Sequence, residues 1–348
     1  MTRWFVTALL LTGLLTGCTV VGPSAVRNGR LAYNQAINET NNQQMLLAVV
    51  QNRYDETASL LAVASVTANV TVTASSGVQL GFGDSDNYQG NLVPFSAGAV
   101  YEENPTISYV PVAGARYAEK ISSPVPVSMF AKLSATIADP GFVYEALVSS
   151  VNGIRNPDFL FPADRPEPGF ARFAEIMTLL THAHRLHWVE TPGEPGAFSI
   201  VIHDYAPDYA AETRELMSLL SLPGPTDDLS ELILPVSLAL DGSDSSGVGI
   251  TLRSVIDLVE ILSAAIEVPH EDRQSGLTAS YPPPGRAGNG LRVRFSQERP
   301  DASSVAVPYR DGWYFIAETD QGTKRFFRLL SALWSVTIAD STSHMANA

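Results

Sequence analysis

The stretch Val305-Ala306-Val307-Pro308-Tyr309-Arg310-Asp311-Gly312-Trp313-Tyr314-Phe315-Ile316-Ala317 decides the fold class. Two β-prone runs flank Arg310-Asp311-Gly312, and Asp-Gly between such runs is a hairpin signal. A second hairpin is expected where residues 188–191 and 198–202 flank Pro192-Gly193-Glu194-Pro195-Gly196. Strands joined by short turns pair antiparallel, which argues against a purely parallel sheet.

Working outward, Thr319 or Asp320 can cap a last helix reaching about Ile338, with Phe326, Leu330, Leu333, Trp334 and Thr337 inward. Upstream, Leu291-Arg292-Val293-Arg294-Phe295 alternates as a strand does. Helices are expected over 32–54, 126–138, 170–188, 210–222 and 251–266, with a further one opening at Pro140 and ending at Asn152-Gly153. Strands are expected over 60–73, 107–112 and 232–240, and Pro111 argues for an edge position or a strand end. The amide-rich run 38–44 in the first helix reads as solvated surface, or else as a recognition face or a buried hydrogen-bonded layer. The Gly/Asp/Asn segment 81–91 lacks the ligand order of a calcium loop and is expected to close a hairpin. Four prolines fall in 156–169, which marks the expected lobe boundary. The expected fold is α+β: amphipathic helices packed on one or two largely antiparallel sheets, in lobes of residues 31–155 and 170–338, with a polar tail at 339–348.

The N-terminus sets the location. Arg3 and a short apolar run beginning at Phe5 lead to Leu15-Thr16-Gly17-Cys18, and Cys18 is the single cysteine of the chain. This is a secretory leader, too short for a permanent membrane span. It resembles the bacterial lipoprotein signal, which implies cleavage between Gly17 and Cys18 and acylation of Cys18, palmitate included. Residues 1–17 are then a signal peptide and 18–30 a lipidated tether, short enough to hold the body near the bilayer. Thr19, where an aspartate would favour inner-membrane retention, points to the outer membrane, with the body facing the periplasm. One cysteine also leaves no intramolecular disulfide, and its commitment to lipid leaves no thiol for Cys-His catalysis. The formal net charge of −14 repels phosphate backbones, so no nucleic-acid partner is expected, and membrane attachment must come from the acyl chains.

Chemistry is less legible. The chain has no Walker loop, no dinucleotide glycine fingerprint and no G-x-S-x-G elbow, and no cofactor is expected. His184 and His187 share a face of the expected helix 170–188, as two metal ligands would, with His203 or His270 as a third. They also continue its apolar stripe in the last turn, where packed or capping histidines are common.

Several blocks stand out together: Tyr33-Asn34-Gln35-Ala36-Ile37, Arg53-Tyr54, Glu103-Asn104-Pro105-Thr106-Ile107-Ser108-Tyr109, Val151-Asn152-Gly153-Ile154-Arg155-Asn156, Thr251-Leu252-Arg253-Ser254 and Tyr309-Arg310-Asp311-Gly312-Trp313-Tyr314-Phe315-Ile316. They resemble a family of uncharacterised proteobacterial envelope lipoproteins across nearly the whole mature chain. The resemblance implies a lipoprotein of the Gram-negative envelope and supplies no catalytic residues. The expectation is a non-enzymatic structural, assembly or partner-binding module with an envelope protein as partner. The alternatives are a hydrolase or carbohydrate-active enzyme with dispersed carboxylates, and a small-ligand or metal carrier.

Overall fold

A computed structural model describes residues 18–67, 70–78, 95–103, 106–156, 168–206, 208–224, 231–238, 246–281, 288 and 290–342. The fold is α+β, as expected. Its chain divides into two compact units, residues 1–41 with 61–111 and residues 42–60 with 112–348. The first helix, α1 (Cys18–Arg53), has 36 residues and so rises about 54 Å.

The first unit holds two two-stranded sheets, β1 (Leu60–Thr67) with β4 (Thr106–Val112), and β2 (Val70–Val78) with β3 (Phe95–Glu103). The β2–β3 ladder is antiparallel and runs without a break from Val70↔Glu103 to Val78↔Phe95. The strand expected over 60–73 is thus two strands, and the expected loop 81–91 lies outside the described residues.

The second unit is built on a six-stranded sheet of order β6-β5-β10-β9-β8-β7. Its strands are β5 (Val148–Val151), β6 (Ile154–Arg155), β7 (Leu186–Glu190), β8 (Phe198–His203), β9 (Glu231–Leu238) and β10 (Val248–Leu252). Only the central β9–β10 pair is parallel. Helix α2 (Ala115–Ser122) precedes α3 (Val127–Thr136), α4 (Pro140–Leu147) and α5 (Pro168–His182), and these last three pack on the sheet. Asp139 caps α4 by accepting from Phe142 N, with Pro140 at the first helical position. Phe130, Tyr144, Phe170 and Phe173 are buried beneath these helices. Phe130 meets Tyr144 edge to face at 5.5 Å and Trp188 at 5.2 Å, the arrangement the ring quadrupole favours.

Helices α6 (Ala210–Leu219), α7 (Val255–Ala264) and α8 (His270–Gln274) follow. A three-stranded sheet of order β11-β13-β12 then combines β11 (Arg294–Ser296), β12 (Ser303–Tyr309) and β13 (Gly312–Ala317). The hairpin that decided the fold class is present, with Tyr309 paired to Gly312 and Arg310 in the left-handed region at φ 50°. Helix α9 (Gln321–Thr342) packs on α2 and α7 and buries Phe326, Leu330, Leu333 and Trp334, while Thr337 is half-buried. Asp320 caps it, accepting from the backbone N of Thr323 at 3.0 Å.

Several boundaries differ from the sequence expectation, each for a local reason. The six-stranded sheet takes β5 and β6 from before residues 156–169 and β7 to β10 from after them, so the lobe boundary does not fall there. The helix expected to reach Asn152 stops at Leu147, because β-branched Val148 and Val151 enter β5. Asn152 (φ 42°) and Gly153 (φ 78°) then form the two-residue turn of a β5–β6 hairpin, a signal read instead as a helix end. The helix expected over 251–266 starts at Val255, where Ser254 and Asp257 form a capping box, and Thr251 and Leu252 belong to β10. Residues 339–342 of the expected tail are helical. The expected tether 18–30 is also helical, because α1 runs through Gly22-Pro23, residues that usually break a helix interior. A short flexible link between Cys18 and the body is therefore replaced by a long helix.

Polar staples fix the sheet. Arg253 is fully buried, and its Nη1 donates to the carbonyls of Glu145 (3.0 Å), Ala146 (3.1 Å) and Val148 (2.8 Å) while Nη2 donates to that of Asn156 (3.0 Å). Two of these carbonyls belong to the last turn of α4, where intrahelical donors run out. Asn156 Nδ2 donates to Glu145 O and Val148 O, and Asn152 Nδ2 donates to Leu220 O and Gly247 O.

Candidate functional site

Cys18, the expected lipid carrier, is the first residue of α1, whereas Gly17 and the rest of the leader lie outside the described residues. Among the described residues no helix is long and apolar enough to cross a membrane.

The histidines do not share a helix face. Helix α5 ends at His182, and His184 occupies the turn after it at φ 56°. His187 lies in β7, where the side-chain period has changed from 3.6 to 2, so the expected pairing of His184 with His187 is lost. The sheet pairs His187 with His203 of β8 instead. Their Nε2 atoms are 3.0 Å apart, in rings only 5° from parallel. His203 Nδ1 stands 3.3 Å from Asp204 Oδ2, which also takes Arg185 at 3.4 Å. A tautomer with the proton on His203 Nδ1 satisfies every contact, since His187 then donates to His203 Nε2. His270 opens α8. Among the described residues no group of three or more His, Cys, Asp or Glu is placed to hold a metal.

The densest polar cluster was not legible in the sequence. Tyr54, just past the end of α1, holds its hydroxyl 2.5 Å from both Asp272 Oδ2 and Tyr314 OH. It donates to the carboxylate and accepts from Tyr314. The Arg310 guanidinium lies 4.6 Å above the Tyr54 ring and 2.9 Å from Glu56 Oε1. Hydrogen bonds from Tyr309 and then Arg310 hold the Glu56 carboxyl below its ordinary value. Burial, then the bonds to Asp272 and Tyr314, pushes Tyr54 far up, and burial pushes Tyr314 up to about 12. At neutral pH both hydroxyls stay protonated, so the cluster works as a hydrogen-bonded latch between the end of α1, α8 and the β12–β13 hairpin. Beside it the Arg53 guanidinium lies 4.6 Å over the Tyr281 ring, and Tyr281 donates to Glu260 at 2.7 Å.

Among the described residues, concavities open to a ligand or partner include two on helical faces. The larger, about 620 Å³, follows one face of α9 and is lined by Asn42, Ser304, Lys324, Arg325, Arg328 and Ser331 among others. Positions 321, 324, 325, 328, 331, 332 and 335 recur at helical spacing, which gathers the cations into one stripe on an acidic protein. Lys324 is engaged by Glu318, and Arg325 Nη1 by Asp139 at 2.6 Å. The smaller, about 390 Å³, brings Glu145, Glu175 and His182 to one surface of α4 and α5. Arg172 ties up Glu175 at 3.3 Å and Glu215 at 2.8 Å.

Fold and sites together define an α+β protein with a cationic groove along its last helix and a separate tyrosine latch that joins Tyr54, Asp272 and Tyr314. Comparison of the chain with protein-family models, with curated proteins and with solved structures gives no match in any of the three.

Proposed function

We propose that this chain is a lipid-anchored protein of the bacterial envelope, held at the outer membrane by acylated Cys18 and facing the periplasm, whose folded body is a partner-binding or assembly module. The observation that carries this reading is Leu15-Thr16-Gly17-Cys18, with the only cysteine at the end of a short apolar leader. The acidic surface supports it, since a charge of −14 gives no electrostatic adhesion to anionic lipid and leaves attachment to acyl chains. The groove along α9 supports the binding half, because it presents donors in a fixed row at an open surface.

The test is metabolic labelling with palmitate and membrane fractionation of the full chain and of Cys18→Ser. The wild type takes up label and sediments with outer membranes, and the variant takes up none and is recovered in the periplasmic fraction. A variant that still sediments with the membrane overturns the anchor.

A further inference from the structure

The six-stranded sheet brings two imidazoles together on its more exposed face. His187 lies on β7, the edge strand, and is exposed, while His203 ends the neighbouring strand β8. The register sets His187 opposite Val201, two residues before His203, so the histidines are diagonal neighbours. Ile200 and Ile202, which alternate with them on β8, point to the other face and are buried.

The Nε2 atoms stand 3.0 Å apart, and the ring centroids 5.0 Å apart. An imidazole nitrogen binds a metal ion at about 2.0–2.1 Å, so two such ligands at a right angle are about 2.9 Å apart and two at a tetrahedral angle about 3.4 Å. The observed separation is nearer the right angle, the geometry of copper(II) and nickel(II) in tetragonal sites. Asp204 adds an independent feature. Its Oδ2 stands 3.3 Å from His203 Nδ1. Ligating histidines characteristically donate their other N–H to a carboxylate, which fixes the tautomer that leaves Nε2 with its lone pair. Glu231, opposite His203 on β9, puts a further carboxylate on the same face. Arg185 opposes them in charge, and Asp204 takes it at 3.4 Å. Among the described residues no third ligand completes a cluster, so the pair has the form of an open site whose other positions go to water.

We propose that His187 and His203 bind one divalent transition-metal ion, copper(II) in preference to zinc(II), as adjacent ligands through their Nε2 atoms. The ion replaces the Nε2 proton of His187 that bridges the pair, and His187 takes up a proton at Nδ1, so both rings stay neutral. Asp204 holds His203 in the ligating tautomer and is a positioning residue. The inference depends neither on the lipid anchor nor on the groove along α9.

The experiment titrates copper(II) sulfate into the untagged full chain, purified in detergent and stripped with chelator, and follows binding by calorimetry and electron paramagnetic resonance. The wild type binds one equivalent with an axial spectrum that carries nitrogen hyperfine structure. Copper(II) also raises its urea midpoint, since the ion favours the folded state. His187→Ala and His203→Ala each weaken binding by about tenfold or more and lose the midpoint shift, and Asp204→Asn weakens binding by about tenfold. His184→Ala, in the preceding turn, binds as the wild type does. Because His187 is exposed, His187→Ala keeps the wild-type far-UV circular dichroism and metal-free midpoint, which separates lost binding from lost fold. A folded wild type that binds no copper(II), a His187→Ala/His203→Ala chain that binds it as tightly as the wild type, or zinc(II) bound as tightly as copper(II) overturns the site.

Discussion

Replacing Arg253 by methionine tests the reading of the buried staple. Methionine fills most of the volume, so the change isolates the loss of the guanidinium donors from the opening of a cavity. Of the four carbonyls that Arg253 serves, those of Glu145 and Val148 keep Asn156 Nδ2, at 2.7 Å each. Those of Ala146 and Asn156 lose the guanidinium, which reached them at 3.1 Å and 3.0 Å. An orphaned buried acceptor costs about 1–3 kcal/mol, so two give about 4 kcal/mol, a large fraction of the stability of an ordinary domain. Arg253→Lys recovers part of this, because one ammonium cannot span carbonyls that a planar fork reaches together. Urea unfolding followed by far-UV circular dichroism measures the effect as a lower midpoint at unchanged slope. An Arg253→Met chain within about 1 kcal/mol of wild type would refute the argument, because Arg253 would then contribute volume alone.

Two further outcomes follow from the tyrosine latch and the hairpin. A tyrosine ionises near 10 in the unfolded chain, whereas Tyr54 and Tyr314 ionise higher when folded, Tyr314 at about 12. Their contribution is complete below about pH 10 and is lost as pH rises from there through about 12, so the urea midpoint stays level from pH 7 to 9 and then falls. Tyr314→Phe flattens that fall, and an equally steep fall in the variant removes Tyr314 as its cause. Gly312→Ala sets a Cβ against the Phe295 ring and 2.7 Å from Ser296 O, for a loss of about 1–3 kcal/mol in the same unfolding assay.

Much of the architecture was written locally. The Asp311-Gly312 turn, the helix start at Pro140, the cap at Thr319 or Asp320 (Asp320 in the structure) and the stripe Phe326, Leu330, Leu333 and Trp334 are short-range signals, and each reappears in the structure. Errors arose where two local signals competed. Apolar spacing at 142, 147 and 151 outweighed Asn152-Gly153, and spacing through His184 and His187 outweighed the break after His182.

The sequence by itself determined the α+β class and the expectation of a lipid anchor, because periodicity, caps and a leader peptide act over a few residues. Tertiary structure alone decided which distant residues meet. Tyr54, Asp272 and Tyr314 share one hydrogen-bonded cluster, and Arg253 reaches the carbonyls of 145–148 and 156. The pairing of His187 with His203 rather than His184 comes from strand register. Such contacts depend on chain closure over long separations, which no local pattern encodes.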